Sequence, residues 1–373
     1  MIYFDNSATT PVSKNAADAM HDMLIKNFGN PSSTHFLGIK AAKALDEARQ
    51  NVASAIGCDK EEIYFSSSGT VANNTAIFGS VLLNRRKGKR IVTSSLEHPS
   101  VSECMKRLSD EGFDVVYLPV DKNGNYSLED LKSAITKDTI LVSIMLINNE
   151  IGTINDVKNI KKAVKTANSP AIIHCDAVQA FGKINIKPSM LGVDLMTVSS
   201  HKIHGPKGAG ALYVRRGLNI KPYILGGGQE KGLIAGTEAM PAIVGFGEAC
   251  KEINYKEQYD YILNLRDYAA SKISQIDNVF INSPEDALPY IINISIPKVP
   301  SEVTVNFMSE NGICVSAGSA CKKGHRSDVL TKIGLSPERL DSSIRISFSA
   351  NNTTDEVDIF IDKLNQVIRK VRT

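Results

Sequence analysis

The chain has 373 residues, enough for a large core and two domains, and its 42% apolar and 22% charged residues are those of an ordinary globular protein. A net charge of +3 without a basic block argues against a nucleic-acid binder, and no run approaches the roughly 18 apolar residues of a membrane span. The opening Met1–Asn6 lacks a signal peptide's basic start, and six cysteines (58, 104, 175, 250, 314, 321) stand without a CxxC pair, so a reduced, cytoplasmic setting is expected, with no disulfide framework and no zinc site.

Residues 1–35 are punctuated by Asn6-Ser7-Ala8-Thr9-Thr10-Pro11 and Gly29-Asn30-Pro31-Ser32-Ser33 around one short helix. Ala41, Leu45, Ala48, Val52 and Ile56 then recur at helical spacing, and Gly57 ends that helix. An alternation follows. Strands predicted over 62–66, 90–94 and 114–118 each precede a helix: near 70–83, near 99–110, and from Ser127, where Ser127-Leu128-Glu129-Asp130 reads as a capping box. Apolar runs over 140–147 and 171–175 flank a helix near 156–167, and strands over 194–198 and 209–214 come next. Such alternation predicts right-handed crossovers, a mostly parallel sheet, and ligands at the carboxyl ends of its strands. After Gly245 the pattern changes to a long helix over roughly 246–275, short strands near 290–296 and 343–348, and helices near 301–311 and 354–371, a smaller α+β unit.

The chemistry concentrates between the strands at 194–198 and 209–214, in Ser199-Ser200-His201-Lys202-Ile203-His204-Gly205-Pro206-Lys207-Gly208. A lysine at a strand end among hydroxyls and imidazoles suits a Schiff base to an aldehyde cofactor, pyridoxal phosphate (PLP); alone, the same stretch is a solvated loop. Ser66-Ser67-Ser68-Gly69-Thr70 is either a tight turn with an N-cap or an anion loop at a helix N-terminus. Asp176 is a helix cap or the anion that keeps a pyridine nitrogen protonated, with Gln179 three residues on as a donor to a phenolate oxygen. Asn148-Asn149-Glu150 is a turn or projects polar groups to the same ligand; His98 caps a helix or lies on a ring; Arg345 is a surface pair or a carboxylate clamp. Cys321 is the candidate nucleophile, with Lys322, Lys323, His325 and Arg326 to lower its pKa, whereas strand alternation in Gly312-Ile313-Cys314-Val315 is expected to bury Cys314.

In this order the segments resemble the cysteine desulfurase family, the IscS/NifS-like branch of PLP enzymes. The likeness extends to Phe4-Asp5-Asn6-Ser7-Ala8-Thr9-Thr10-Pro11, Asn148-Asn149-Glu150-Ile151-Gly152, Asp176-Ala177-Val178-Gln179, Gly226-Gly227-Gly228-Gln229-Glu230, Gly236-Thr237-Glu238 and Gly318-Ser319-Ala320-Cys321. It implies the α/β fold of PLP-dependent transferases (aspartate aminotransferase-like): a large domain over 15–245, and a small one of 1–14 with 246–373 carrying the cysteine. It makes Lys202 the Schiff-base lysine, pairs Asp176 with the pyridine nitrogen, sets Gln179 and Asn149 at the phenolate and His98 on the ring. Gly69, Thr70, Ser199 and His201 would hold the phosphate, joined by Thr237 from the partner of a homodimer. Arg345 and Asn149 would grip the carboxylate of L-cysteine, and Cys321 would take its sulfur as a persulfide for an acceptor, an iron–sulfur scaffold or a tRNA-thiolation protein.

Three positions depart from the family's usual residues: Val71 in place of glutamate, Ile234 in place of arginine, and Lys231 in place of arginine. They bear on rate, dimer strength and partner choice. The competing readings are a selenocysteine lyase, another aminotransferase-type enzyme, and a non-catalytic scaffold that kept the fold.

Overall fold

The computed structural model describes residues 1–318 and 326–372. In chain order the first elements are β1 (Ile2–Tyr3), α1 (Lys14–Ile25), α2 (Phe36–Ile56), β2 (Ile63–Ser66), α3 (Gly69–Asn84), β3 (Arg90–Ser94), α4 (Pro99–Asp110), β4 (Asp114–Leu118) and α5 (Leu128–Ala134). They continue with β5 (Thr139–Ser143), α6 (Lys158–Thr166), β6 (Ile172–Asp176), α7 (Pro188–Leu191), β7 (Leu195–Ser199) and β8 (Gly210–Val214). Beyond these lie α8 (Met240–Lys251), α9 (Tyr255–Ser274), β9 (Phe280–Ile281), β10 (Ile291–Ser295), α10 (Ser301–Glu310), β11 (Ile313–Cys314), β12 (Ser316–Ala317), α11 (Asp328–Lys332), α12 (Pro337–Asp341), β13 (Ser343–Ser347) and α13 (Thr354–Arg372).

Seven strands in the order β2-β8-β7-β6-β5-β3-β4 form the central sheet; β8 alone runs against its neighbours. Strands β5, β6, β7 and β8 are buried along their whole length, which is why they read as near-continuous apolar runs. The parallel strands end on one edge of the sheet, and their carboxyl-terminal loops converge there. The predicted run over 140–147 is a strand only to Ser143, yet Ile144 and Leu146 still donate to the carbonyls of His174 and Asp176, carrying the chain in register to Asn148.

Two sequence expectations fail locally. The helix expected over 246–275 is two helices, α8 and α9, because Asn254 adopts φ −131° and ψ 64° and breaks the helical path. Apolar spacing persists across the break through Phe246, Ala249, Cys250 and Ile262, which conceals it. Helix α8 starts at Met240 and packs on α1 and α2. At α5, Ser127 does cap the helix, accepting from the Asp130 N–H at 2.9 Å. The box is not closed, because the Asp130 carboxylate accepts from the Ser127 hydroxyl at 2.6 Å instead of from its N–H. Aspartate is one methylene short for that reach.

The four-stranded antiparallel sheet β12-β13-β10-β9 lies in the C-terminal part of the chain, and the N-terminus is stitched to it. β1 pairs with β11 in parallel, Asp5 bridges Ser347, and the Phe4 ring stands edge-on to Phe348 at 5.3 Å and Phe360 at 5.9 Å. Each aromatic pair contributes about 0.5–1.5 kcal/mol beyond its buried area. This anchoring lays residues 5–10 across the carboxyl edge of the central sheet, where the Thr10 N–H donates to the His201 carbonyl at 2.9 Å. No helix among the described residues is long and apolar enough to cross a membrane.

Candidate active site

A cavity of about 430 Å³ opens at this edge. Gly69, Thr70, His98, Asn149, Asp176, Gln179, Ser199, His201, Lys202 and Arg345 all line it, so ten of the residues singled out from the sequence meet in one place. They come from the carboxyl ends of β6 and β7, the segments that follow β2, β3, β5, β6 and β7 (including the start of α3), and β13. Ser68 caps α3, its Oγ accepting from the Val71 N–H at 3.2 Å, so the loop is a capped turn whose helix also points its N-terminus at the cavity. A Cβ added at Gly69 would come within 3.1 Å of Val178 Cγ2, so a side chain there would fill the cradle.

Asp176 is both turn-former and cavity wall. Its Oδ1 accepts from the Val178 N–H at 2.9 Å and its Oδ2 from Asn73 Nδ2 at 2.8 Å. Asn73 Nδ2 also donates to Ser100 Oγ at 2.8 Å, and that hydroxyl lies 2.8 Å from His98 Nδ1. The Ser100 N–H donates to the same nitrogen at 3.1 Å, which requires a lone pair there and puts the proton of neutral His98 on Nε2. Burial lowers the His98 pKa and favours this neutral form, against the pull of Asp176. His98 thus caps α4 and faces the cavity at once. Beneath Asp176, His174 is fully buried between Ser143 and Thr197 hydroxyls, and burial pushes its pKa down to about 4. Asn73 and Ser100 went unnoticed in the sequence, since an asparagine inside an apolar helix and a serine after a proline carry no signal of their own.

Asn73→Ala removes the shared donor and leaves the Asp176 carboxylate short of a buried partner, which costs about 1–3 kcal/mol. The unfolding equilibrium constant should rise by roughly 10-fold, measured by urea denaturation. An unchanged constant would show that Asp176 does not depend on this bond.

Lys202 follows β7 in a single 3₁₀ turn, Ser200–Lys202. Its amine donates to the Ser7 carbonyl and, at 2.7 Å, to that of Ala8. Burial first, then Arg345, pushes its pKa down to about 8, with Asp5 and Asp176 opposing. The amine therefore sheds its proton far more readily than an exposed lysine. His201 lies 3.2 Å from Thr9 Oγ1, and burial with nearby Lys202 and Lys207 takes its pKa down to about 4. Gln179 donates to the Ser7 carbonyl at 3.0 Å and accepts from Lys183 at 3.1 Å.

Arg345 is buried in β13, paired with Asp5 at 2.9 Å and donating to the Asn149 carbonyl at 3.0 Å. Its Nε has no partner among the described residues, a buried donor left for a ligand. Asn149 and Glu150 reach the wall because Asn148 makes the turn, its Oδ1 accepting from the Glu150 N–H at 2.9 Å. The Ser327 hydroxyl donates to the Glu150 carboxylate, whose pKa burial pushes up to about 7.

Two singled-out residues do not join them. Thr237 is exposed and lines a separate cavity of about 250 Å³. Val71 and Ile234 line it too, so two of the departures from the family pattern meet there. The third, Lys231, pairs with Glu61 at 2.6 Å. Cys321 lies outside the described residues, as do Lys322, Lys323 and His325. Arg326, expected to add positive charge near the cysteine, is paired with Asp341 through two bonds of 2.7 and 2.8 Å. Cys314 is not buried as expected. The alternation holds, but it buries Ile313 and Val315 and leaves Cys314 on the half-exposed face.

The fold and the site have relatives. The family model "Aminotransferase class-V" matches residues 2–360. A cysteine desulfurase IscS of Methanosarcina thermophila is 41% identical over 376 residues, covering 100% of this chain and 93% of that one. Among solved structures, a NifS-like protein matches with a TM-score of 0.93 and 37% identity over 99% of both chains. SspA in complex with cysteine matches with a TM-score of 0.84 and 33% identity, over 95% of this chain and 100% of that one. Matched along nearly its whole length, the chain belongs to the class-V aminotransferase family, in its cysteine desulfurase branch.

Proposed function

We propose that the protein removes the sulfur of L-cysteine with PLP, releasing L-alanine and keeping the sulfur on Cys321 as a persulfide for an acceptor protein. The observation that carries this reading is the meeting of Lys202, Asp176, His98 and Arg345 in one cavity. The cavity also suits the cofactor. Besides the small Gly69 cradle, Asn73 Oδ1 and Arg345 Nε are buried polar atoms without a partner among the described residues. Lys202 would hold PLP through its amine and Asp176 would face the pyridine nitrogen. Gln179 and Asn149 would meet the phenolate and His98 the ring face, with Gly69, Thr70, Ser199 and His201 on the phosphate. When bound, PLP supplies an electron sink that makes the substrate α-carbon acidic and its sulfur transferable.

The protein's own groups do the rest. Arg345 and Asn149 orient the substrate carboxylate, with the free Nε of Arg345 as a charged donor. Lys202, released from the Ser7 and Ala8 carbonyls, takes the proton from the substrate α-carbon and returns it. The Cys321 thiolate attacks the substrate Sγ, so a sulfur–sulfur bond forms as the carbon–sulfur bond breaks. The test is direct: the protein with PLP and L-cysteine should yield alanine and, with a thiol reductant, an equal amount of sulfide. Alanine from selenocysteine but not from cysteine would overturn the choice of substrate, and a colourless protein that turns over neither would favour the scaffold reading.

The reading extends to a homodimer in which Thr237 of one chain bonds the phosphate held by the other, in line with its exposure outside the cavity of its own chain. Dilution into the dissociating range should then weaken PLP retention, as should Thr237→Ala, by roughly 10-fold for one charge-assisted bond. Gel filtration beside cofactor absorbance checks it, and a monomer that keeps PLP tightly would sink the idea.

A further inference from the structure

Lys183 is a buried lysine that the proposed chemistry leaves unused. It stands four residues after Gln179, past the turn at Gly182, and its ammonium lies 5.7 Å from the centre of the Tyr290 ring. Its Nζ donates to Gln179 Oε1 at 3.1 Å. A protonated Lys183 can only donate, so it takes the Oε1 end of the amide. The other end, Nε2, consequently donates to the Ser7 carbonyl at 3.0 Å, the carbonyl that also receives the amine of Lys202. Lys183 and Lys202 both line a cavity of about 300 Å³ on the far side of these groups. An unbroken relay thus runs from Lys183 through the Gln179 amide and the Ser7 carbonyl to Lys202.

We propose that Lys183 is a positioning residue: it fixes the Gln179 amide with its hydrogens towards Ser7 and so limits how firmly the Ser7 carbonyl can hold the Lys202 proton. The inference rests on the reading of Lys202 as the cofactor-holding amine. The charged groups acting on the relay are few. Lys183 is affected by Lys202 and Arg345; Lys202 by Arg345, Asp5 and Asp176; and Lys183 acts in turn on His201 and His204. Burial takes the Lys183 pKa down to about 7, so near neutral pH its amine donates while carrying only part of a charge.

Lys183→Met keeps the stem and removes the donor. The Gln179 amide is then free to leave Ser7, and Ser7 serves the Lys202 ammonium alone, which holds the proton on. Two readouts follow on the full-length chain. Loaded with PLP, its visible band should titrate with a midpoint half a pH unit or more above the parent's, about a threefold change in the protonation equilibrium. Stripped of PLP, the pH midpoint for labelling Lys202 with trinitrobenzenesulfonate, followed by peptide mass spectrometry, should rise equally. Lys183→Arg, which retains a donor, should show neither rise. If Lys183→Met does not fold, Gln179→Leu cuts the relay at its next link and should raise the Lys202 midpoint alike. A folded Lys183→Met with the parent's midpoints, or an equal rise in Lys183→Arg, would overturn the proposal. A parent that takes up no PLP would count against the proposed function alone, since the labelling midpoint still decides the role of Lys183.

Discussion

Lys202→Ala is expected to fold, to take up no yellow colour from PLP, and to release alanine from cysteine on the order of 10²–10⁴-fold more slowly, the usual contribution of a positioned acid–base group. Losing the covalent hold on the cofactor adds to that. The pH behaviour of the parent supplies an independent check. Lys202 has its folded pKa pushed down to about 8 by burial and Arg345, below the ordinary lysine value, so its free amine prevails above about pH 8. Below that pH the amine is protonated and held on the Ser7 and Ala8 carbonyls. The rate at which PLP-free protein recaptures the cofactor should therefore climb through about pH 7–9, with its midpoint near pH 8, and level off above that range, monitored at the visible band. Lys207 is the rival lysine of the same stretch. It is exposed and lines a neighbouring cavity with Ser199 and His201. An active Lys202→Ala that reacts with PLP would move the assignment to Lys207.

How far this site could be read from residues alone depends on whether the signal is local. β3 and β4 fall on the predicted residues, because short apolar runs bounded by turn formers announce a strand, whether buried like β3 or at the sheet edge with only Leu118 buried like β4. The cavity residues at strand ends were legible for a similar reason, as polar groups following apolar runs that must stop at a sheet edge. The relay through Lys183 was not legible, since nothing near Gln179 in the sequence says that Ser7 lies across from it. Nor was the sharing of Asn73 between Asp176 and Ser100, three residues on three separate elements. Gly318 has a physical reason invisible in the sequence: a Cβ there would lie 2.3 Å from Ser343 Oγ, so close approach to β13 requires glycine. Helix α9 shows the opposite failure. Its apolar period matches that of α8 across a real break, and periodicity registers faces but not a single non-helical residue such as Asn254.

Cys321→Ser should bind PLP and cysteine as the parent does, since Lys202, Asp176 and Arg345 are untouched, yet release alanine on the order of 10²–10⁴-fold more slowly and carry no persulfide. The case for this cysteine rests partly on what the other five are. Burial raises the thiol pKa of Cys175 and Cys250 well above the usual value, that of Cys104 to about 11 and that of Cys58 to about 12, so none of these is a thiolate at neutral pH. Cys314 is half-buried but belongs to β11, where its carbonyl receives the Phe4 N–H at 2.9 Å, and it is not among the residues lining the active-site cavity. The described residues on either side of the Cys321 segment, Gly318 and Ser327, both reach the cavity or its wall. Gly318 lines the cavity and donates to the Ser343 carbonyl at 2.8 Å, while Ser327, on the far side, donates to Glu150 in the cavity wall. Mass spectrometry after cysteine treatment should find one added sulfur on the peptide containing Cys321. Added sulfur on any other cysteine, together with a fully active Cys321→Ser, would overturn the assignment and make Cys314, the least buried of the described cysteines near β1, the next to test.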